Sequence, residues 1–265
     1  LVELNFQFNF GYAQENNDEL GYTNFMMDML NEGTKKYTSL QFDEVLDSLG
    51  SNLGFGSGLD TSYATVSSLK ANLSETLDLA KEALIYPTFP QKEIDRIKKQ
   101  TLASIVQEEN RPAAIAYRNI GKLLYGENHP YGKPLTGSGI SETISDITRD
   151  NVIAVHSRAI NPTNLTFAVA GDIQLDELVE ILEDKFGNWS GNTNSNLKEL
   201  NKVSLPDTRR VYLIDKPNAQ QSYIVAGQLL PPSATDEEIK ISYMNYAIGG
   251  SFTARLNMNL REDKS

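Results

Sequence analysis

Gly21-Tyr22-Thr23-Asn24-Phe25-Met26-Met27-Asp28-Met29-Leu30-Asn31-Glu32-Gly33-Thr34 decides how this chain folds. Tyr22, Phe25, Met26, Met29 and Leu30 recur at i, i+3, i+4 spacing, which makes one face of a helix apolar. Asn16-Asn17-Asp18 opens that helix and Gly33 ends it. Thioethers suit irregular packing, so these Met residues read as core filler rather than cofactor ligands. Just upstream, Val2, Leu4, Phe6, Phe8 and Phe10 alternate with polar residues. A period of two describes a strand with one buried face.

Outward from this unit, residues 39–49 form a second helix with Phe42, Val45 and Leu49 inward. Residues 52–57 and 62–70 read as a hairpin joined through Gly58-Leu59-Asp60. The glycine-rich run Gly54-Phe55-Gly56-Ser57-Gly58 lacks the Lys of a P-loop and the G-x-G-x-x-G spacing. It reads instead as strand that permits close backbone approach. Asn72-Leu73-Ser74-Glu75 has the character of a capping box and opens a helix that ends before Pro87. Pro90 starts a long helix that Arg111-Pro112 breaks, and another runs to Tyr125. After the loop Asn128-His129-Pro130-Tyr131-Gly132-Lys133-Pro134 come a helix over residues 150–160, a strand over 165–170 and a helix to Phe186.

Residues 187–206 are rich in Asn, Ser and Gly and cannot build a core face. The chain therefore divides into a domain over 1–190, a linker over 191–206 and the start of a second domain over 207–265. Residues 211–214 and 222–227 read as strands, and residues 236–248 as a helix ended by Gly249-Gly250. The order strand, polar loop, helix, Gly over residues 4–33 recurs weakly over 222–250, implying two similar modules with the second incomplete. The fold class is α+β, with mixed, mostly antiparallel sheets and helices mainly on one face.

The 265 residues are 40% hydrophobic, enough for a packed core, and carry a net charge of −11. An acidic chain lacks the basic footprint that nucleic acid requires. With no cysteine, disulfides, thiolate metal sites and a Cys nucleophile are excluded. No apolar run approaches the ~20 residues of a membrane span. The chain has only two histidines. His129 lies in the Pro- and Gly-rich loop, His156 on an amphipathic helix, and neither has a second His at metal spacing. Glu108-Glu109 are adjacent, point in different directions on a helix and read as a solvated face. No G-x-S-x-G supports a Ser nucleophile.

Several short motifs carry a family resemblance by their order and spacing. They are Gly33-Thr34, Phe89-Pro90, His129-Pro130-Tyr131-Gly132-Lys133-Pro134, Asn161-Pro162-Thr163-Asn164 and Ala170-Gly171-Asp172. A further one is Gly249-Gly250-Ser251-Phe252-Thr253-Ala254-Arg255, which leads to Leu260-Arg261-Glu262-Asp263-Lys264. Together they resemble the M16 family of pitrilysin, insulinase and the mitochondrial processing peptidase over essentially the whole chain. The resemblance implies a two-layer sandwich.

In that family the stretch that opens this section carries H-x-x-E-H, in which two His bind zinc and the Glu activates a water. Here Asn24 stands at the first His, Met27 at the Glu and Asp28 at the second His. The family's third ligand, a Glu, lies about 76 residues past the second His, and that spacing lands on Ser104. Zinc takes Cys, His, Asp and Glu, so Asp28 alone is not a site.

The resemblance therefore implies the non-catalytic, substrate-binding half of a zinc endopeptidase acting on extended peptides. Zinc would sit on a partner subunit or domain, with none on this chain. Arg261 matches an Arg that this type of half contributes to the shared chamber; its companion Tyr would fall about seven residues later. A structural subunit with the same fold and no role in proteolysis is the alternative. The acidic, Asn-rich composition points to the periplasm or envelope of a bacterium.

Overall fold

The alternating residues at the N-terminus form strand β1 (Val2–Phe8), which takes an interior place in a four-stranded sheet. The computed structural model describes residues 1–191, 197–198, 200–204, 208–232 and 235–264. Helices α1 (Tyr22–Asp28) and α2 (Ser39–Ser48) follow, then the hairpin β2 (Asn52–Ser57) and β3 (Ser62–Ser68). Helices α3 (Leu73–Ile85), α4 (Gln91–Glu108), α5 (Pro112–Tyr125), α6 (Ser141–Asp146) and α7 (Arg149–Ala159) precede β4 (Leu165–Gly171) and α8 (Leu175–Phe186). Strand order is β2-β3-β1-β4, and all three pairings are antiparallel.

One face of the sheet is apolar. Leu4 lies opposite Val66 and Val169, and Phe6 opposite Ala64 and Phe167. The Phe6 ring meets Phe167 edge-on at 4.8 Å and Phe186 of α8 at 5.4 Å. This face forms one core with residues of α1, α3, α7 and α8. The other face carries Glu3, Gln7, Tyr63 and Thr65, all exposed. The expected α+β two-layer sandwich is the observed one, with the helices on one side of the sheet.

Local differences have local causes. The first helix begins at Tyr22, not at Asn16, because Gly21 (φ +92) turns the chain and the buried Glu15 carboxylate accepts the Gly21 and Thr23 amides at 2.9 and 2.7 Å. That carboxylate does the work expected of the Asn16-Asn17-Asp18 cap. It also ends at Asp28 rather than Gly33, and the Met29 amide returns to the Met26 carbonyl at 3.1 Å. Asn72 makes no side-chain cap; its amide donates to the Leu49 carbonyl at 2.8 Å instead. Glu108 does not belong to a solvated face, since it receives the Arg118 guanidinium and the Ser138 hydroxyl, both at 2.7 Å.

The strands expected at residues 211–214 and 222–227 do not join a sheet. Val211, Leu213 and Ile224 are almost fully exposed, and no ladder pairs their backbone among the described residues. Extended segments with β-branched residues need a neighbouring strand to become sheet. Residues 228–265 form a separate compact unit. Within it the expected helix is shorter, α9 (Glu238–Asn245), and passes into a π-helical turn, Tyr246–Gly250.

Candidate functional site

Asn24 and Asp28 lie four residues apart on α1 and share one helix face. They open into a pocket of about 380 Å³ together with Ser104 of α4. Residue types separated by 76 positions in sequence thus meet at one place. Gln100 and Thr101 extend the α4 wall, and Gly56 and Ser57 at the end of the edge strand β2 form another side. Tyr63 of β3 contributes its ring, while Thr136 and Ser138 close the pocket from a loop. Among the described residues, the Asp28 carboxyl and the Tyr63 phenol are the ionisable groups that line it.

Packing explains why these elements meet. Gly56 leaves room for the Tyr63 ring, since a Cβ there would stand 2.6 Å from the phenol oxygen. Gly137 has φ +73, and a Cβ on it would stand 2.3 Å from the Asn24 amide nitrogen. Ser138 is held by Glu108, which also pairs with the buried Arg118; the Arg118 guanidinium donates on to the Gly139 carbonyl at 2.8 Å. Tyr12 donates its hydroxyl to the Leu135 carbonyl at 3.1 Å. The loop over residues 134–139 is therefore tied to α4 and α5 and to the turn at Tyr12.

Beneath α1, the Lys133 ammonium is buried and donates to the carbonyls of Tyr12 and Ala13 at 3.0 and 2.9 Å, and to that of Glu15. Burial pushes the Glu15 carboxyl up to about 7, against the pull of its two backbone donors and Lys133. The same burial lowers the Lys133 ammonium to about 8.

The donor set does not fit zinc. The Asn24 side-chain oxygen already accepts the Ser57 hydroxyl. Ser104 offers only a hydroxyl, and no group of three His, Cys, Asp or Glu residues at metal-holding distance occurs among the described residues. Met27 is fully buried in the core instead of facing a water. Asp28 makes no hydrogen bond and no ion pair among the described residues. Asp28 is exposed, yet desolvation by the surrounding protein, helped by nearby Glu32, pushes its carboxyl up, to about 6. Glu32 itself is matched by Arg96 and by the Ser39 hydroxyl.

The remaining sequence candidates lie elsewhere. His156 is bonded to the Leu84 carbonyl at 2.9 Å and packs edge-on against Phe89, as a structural residue does. His129 stacks on Tyr125. Arg261 belongs to the second compact unit, where it is largely exposed, lies 4.0 Å from Glu262 and packs over the Phe252 ring. Sequence reasoning missed Glu15, Lys133 and the Glu108–Arg118 pair. A buried acid and its base carry no periodic signal, and only the topology brings them together.

Comparison with known proteins agrees with this geometry. The family model described as insulinase (peptidase family M16) matches residues 2–138, and that of the peptidase M16 inactive domain matches residues 146–265. An uncharacterized zinc protease of Rickettsia felis is 23% identical over 98% of this chain and 61% of its own length. A non-peptidase homolog from Helicobacter pylori is 22% identical over 97% of this chain and 58% of its own. The crystal structure of a peptidase M16 inactive domain from Pseudomonas fluorescens superimposes with a TM-score of 0.81 at 25% identity, covering 99% of this chain and 63% of that one. The chain thus spans about three fifths of the length of the relatives it matches. Among the described residues no helix is long and apolar enough to cross a membrane.

Proposed function

Because this chain belongs to the M16 peptidase family, we propose that it is the non-catalytic, substrate-binding half of a zinc endopeptidase. Zinc and the activated water come from a partner subunit or a further domain. The observation that carries this reading is the pocket where Asn24, Asp28 and Ser104 converge without a zinc-competent donor set. A shaped pocket with the wrong donors suits holding a peptide better than hydrolysing one. The adjoining edge strand β2 suits an extended peptide, whose backbone can add to an open sheet edge. Arg261 is assigned to the substrate or to the oxyanion formed on the partner's zinc, for which a permanent charge with fixed donors is apt. The domains would be residues 1–190 and 207–265, joined by a linker over 191–206.

The test is co-purification of the full-length protein with whatever it binds, followed by an assay on an unstructured fluorogenic peptide. Chelator-sensitive cleavage, zinc located in the partner, and a sharp loss with Arg261→Ala are expected. A stable assembly that cleaves nothing would favour the second reading, a structural subunit with this fold. That alternative is kept because one relative bears the name of a non-peptidase homolog.

A further inference from the structure

We infer that the pocket framed by Asn24, Asp28 and Ser104 is a specificity subsite that takes one basic side chain, Lys or Arg, of a bound peptide. The inference rests on the peptide-binding reading above and adds to it which residue the peptide must carry.

Charge is the first argument. Asp28 is the one carboxylate lining the pocket, no Lys, Arg or His lines it, and among the described residues Asp28 has neither an ion pair nor a hydrogen bond. Its one charged neighbour of note, Glu32, is already matched by Arg96. Asp28 is exposed at the pocket, so its unpaired carboxylate can be met by a cation supplied from outside.

Shape and lining are the second argument. Phe25 and Ile97 give the pocket an apolar wall for a long aliphatic stem. The hydroxyls of Thr101 and Ser104 make no hydrogen bond among the described residues, so both remain available to a guanidinium or ammonium. Tyr63 also lines the pocket, where an aromatic residue suits a cation. At about 380 Å³ the pocket has room for one long side chain. Gly56 and Ser57 of β2 border it, so a strand laid on that edge would direct alternate side chains toward the opening. The net charge of −11 attracts basic peptides over longer distances.

The test is fluorescence anisotropy on the full-length protein with unstructured peptides differing at one position: Arg, Lys, norleucine or Glu. The Arg and Lys peptides should bind about five- to tenfold more tightly than the norleucine peptide, and the Glu peptide most weakly. Asp28→Asn should abolish the preference while norleucine binding stays, and Asp28→Lys should reverse it toward Glu. Equal binding of all four peptides to the unaltered protein would overturn this inference and leave peptide binding standing. Failure of every peptide to bind would overturn both. Free argininamide binding as tightly as the Arg peptide would also overturn it, since the site would then take small cations and not a peptide side chain.

Discussion

Ser138 donates its hydroxyl to the Glu108 carboxylate at 2.7 Å, joining the loop that closes the pocket to the end of α4. The same carboxylate holds Arg118, whose side chain is only 9% exposed. Removing Glu108 therefore leaves the Arg118 guanidinium without its counter-ion and takes one tie from the loop, which keeps its bonds from Arg118 and Tyr12. Glu108→Ala should destabilise the protein by about 2–4 kcal/mol, and Ser138→Ala by no more than about 1.5 kcal/mol. Urea unfolding of the two variants checks the ranking. Equal small losses would mean that the network is not what holds the loop.

Glu15 gives a pH dependence whose sign is fixed by burial. Its carboxyl titrates at about 7 in the folded protein against 4.5 when unperturbed, so the folded state holds the proton more tightly. Stability from this group is complete below pH 4.5 and is lost as pH rises through about 7. Lys133 and Lys198 face it, and burial lowers both ammonium groups, Lys133 to about 8. Glu15→Gln removes the titration. The difference in melting temperature between variant and parent should therefore grow in the variant's favour from pH 4.5 to 7. Parallel curves would show that Glu15 does not titrate there.

Asp28 is expected to oppose stability in the free protein. Its carboxyl is raised from 3.8 to about 6, so its ionisation costs folded-state stability progressively across that interval. Because Asp28 borders solvent, screening reduces the effect, and Asp28→Asn should stabilise the free protein at pH 7 by no more than about 1 kcal/mol. Below pH 3.8 the two proteins should melt together. Thermal unfolding at pH 7 and pH 3.5 decides this. A destabilised Asn variant at neutral pH would reveal a partner for Asp28 in the fold.

Particular residues show what was legible in the sequence. The alternation from Val2 to Phe8 gave β1, and the triplet spacing of Phe25, Met26 and Met29 gave the apolar face of α1, because both patterns are periodic. The meeting of Asn24, Asp28 and Ser104 followed from a family spacing and not from any local pattern. Helix starts were less legible. The acceptor at the start of α1 is Glu15, which lies six residues before Gly21 and reaches it only after the chain turns. Residues 211–214 have strand composition yet pair with no strand among the described residues, since composition describes a segment and pairing depends on a neighbour.

The retained pocket can be asked whether it lost only its donors. Asn24 and Asp28 share one helix face and Ser104 reaches the same pocket from α4. If the backbone there still suits zinc, the triple substitution Asn24→His, Asp28→His, Ser104→Glu restores a donor set of two imidazoles and a carboxylate. Metal analysis after dialysis should then find one zinc per chain in the triple variant and none in the parent. Cleavage is not expected from it, because Met27 supplies no general base and is fully buried. Met27→Glu added alone should cost several kcal/mol, since it places a carboxyl in an apolar core. A folded triple variant that takes up no zinc would mean that α1 and α4 have moved apart as well as changed residues. The pocket's present width would then favour the proposed peptide-binding role over metal binding.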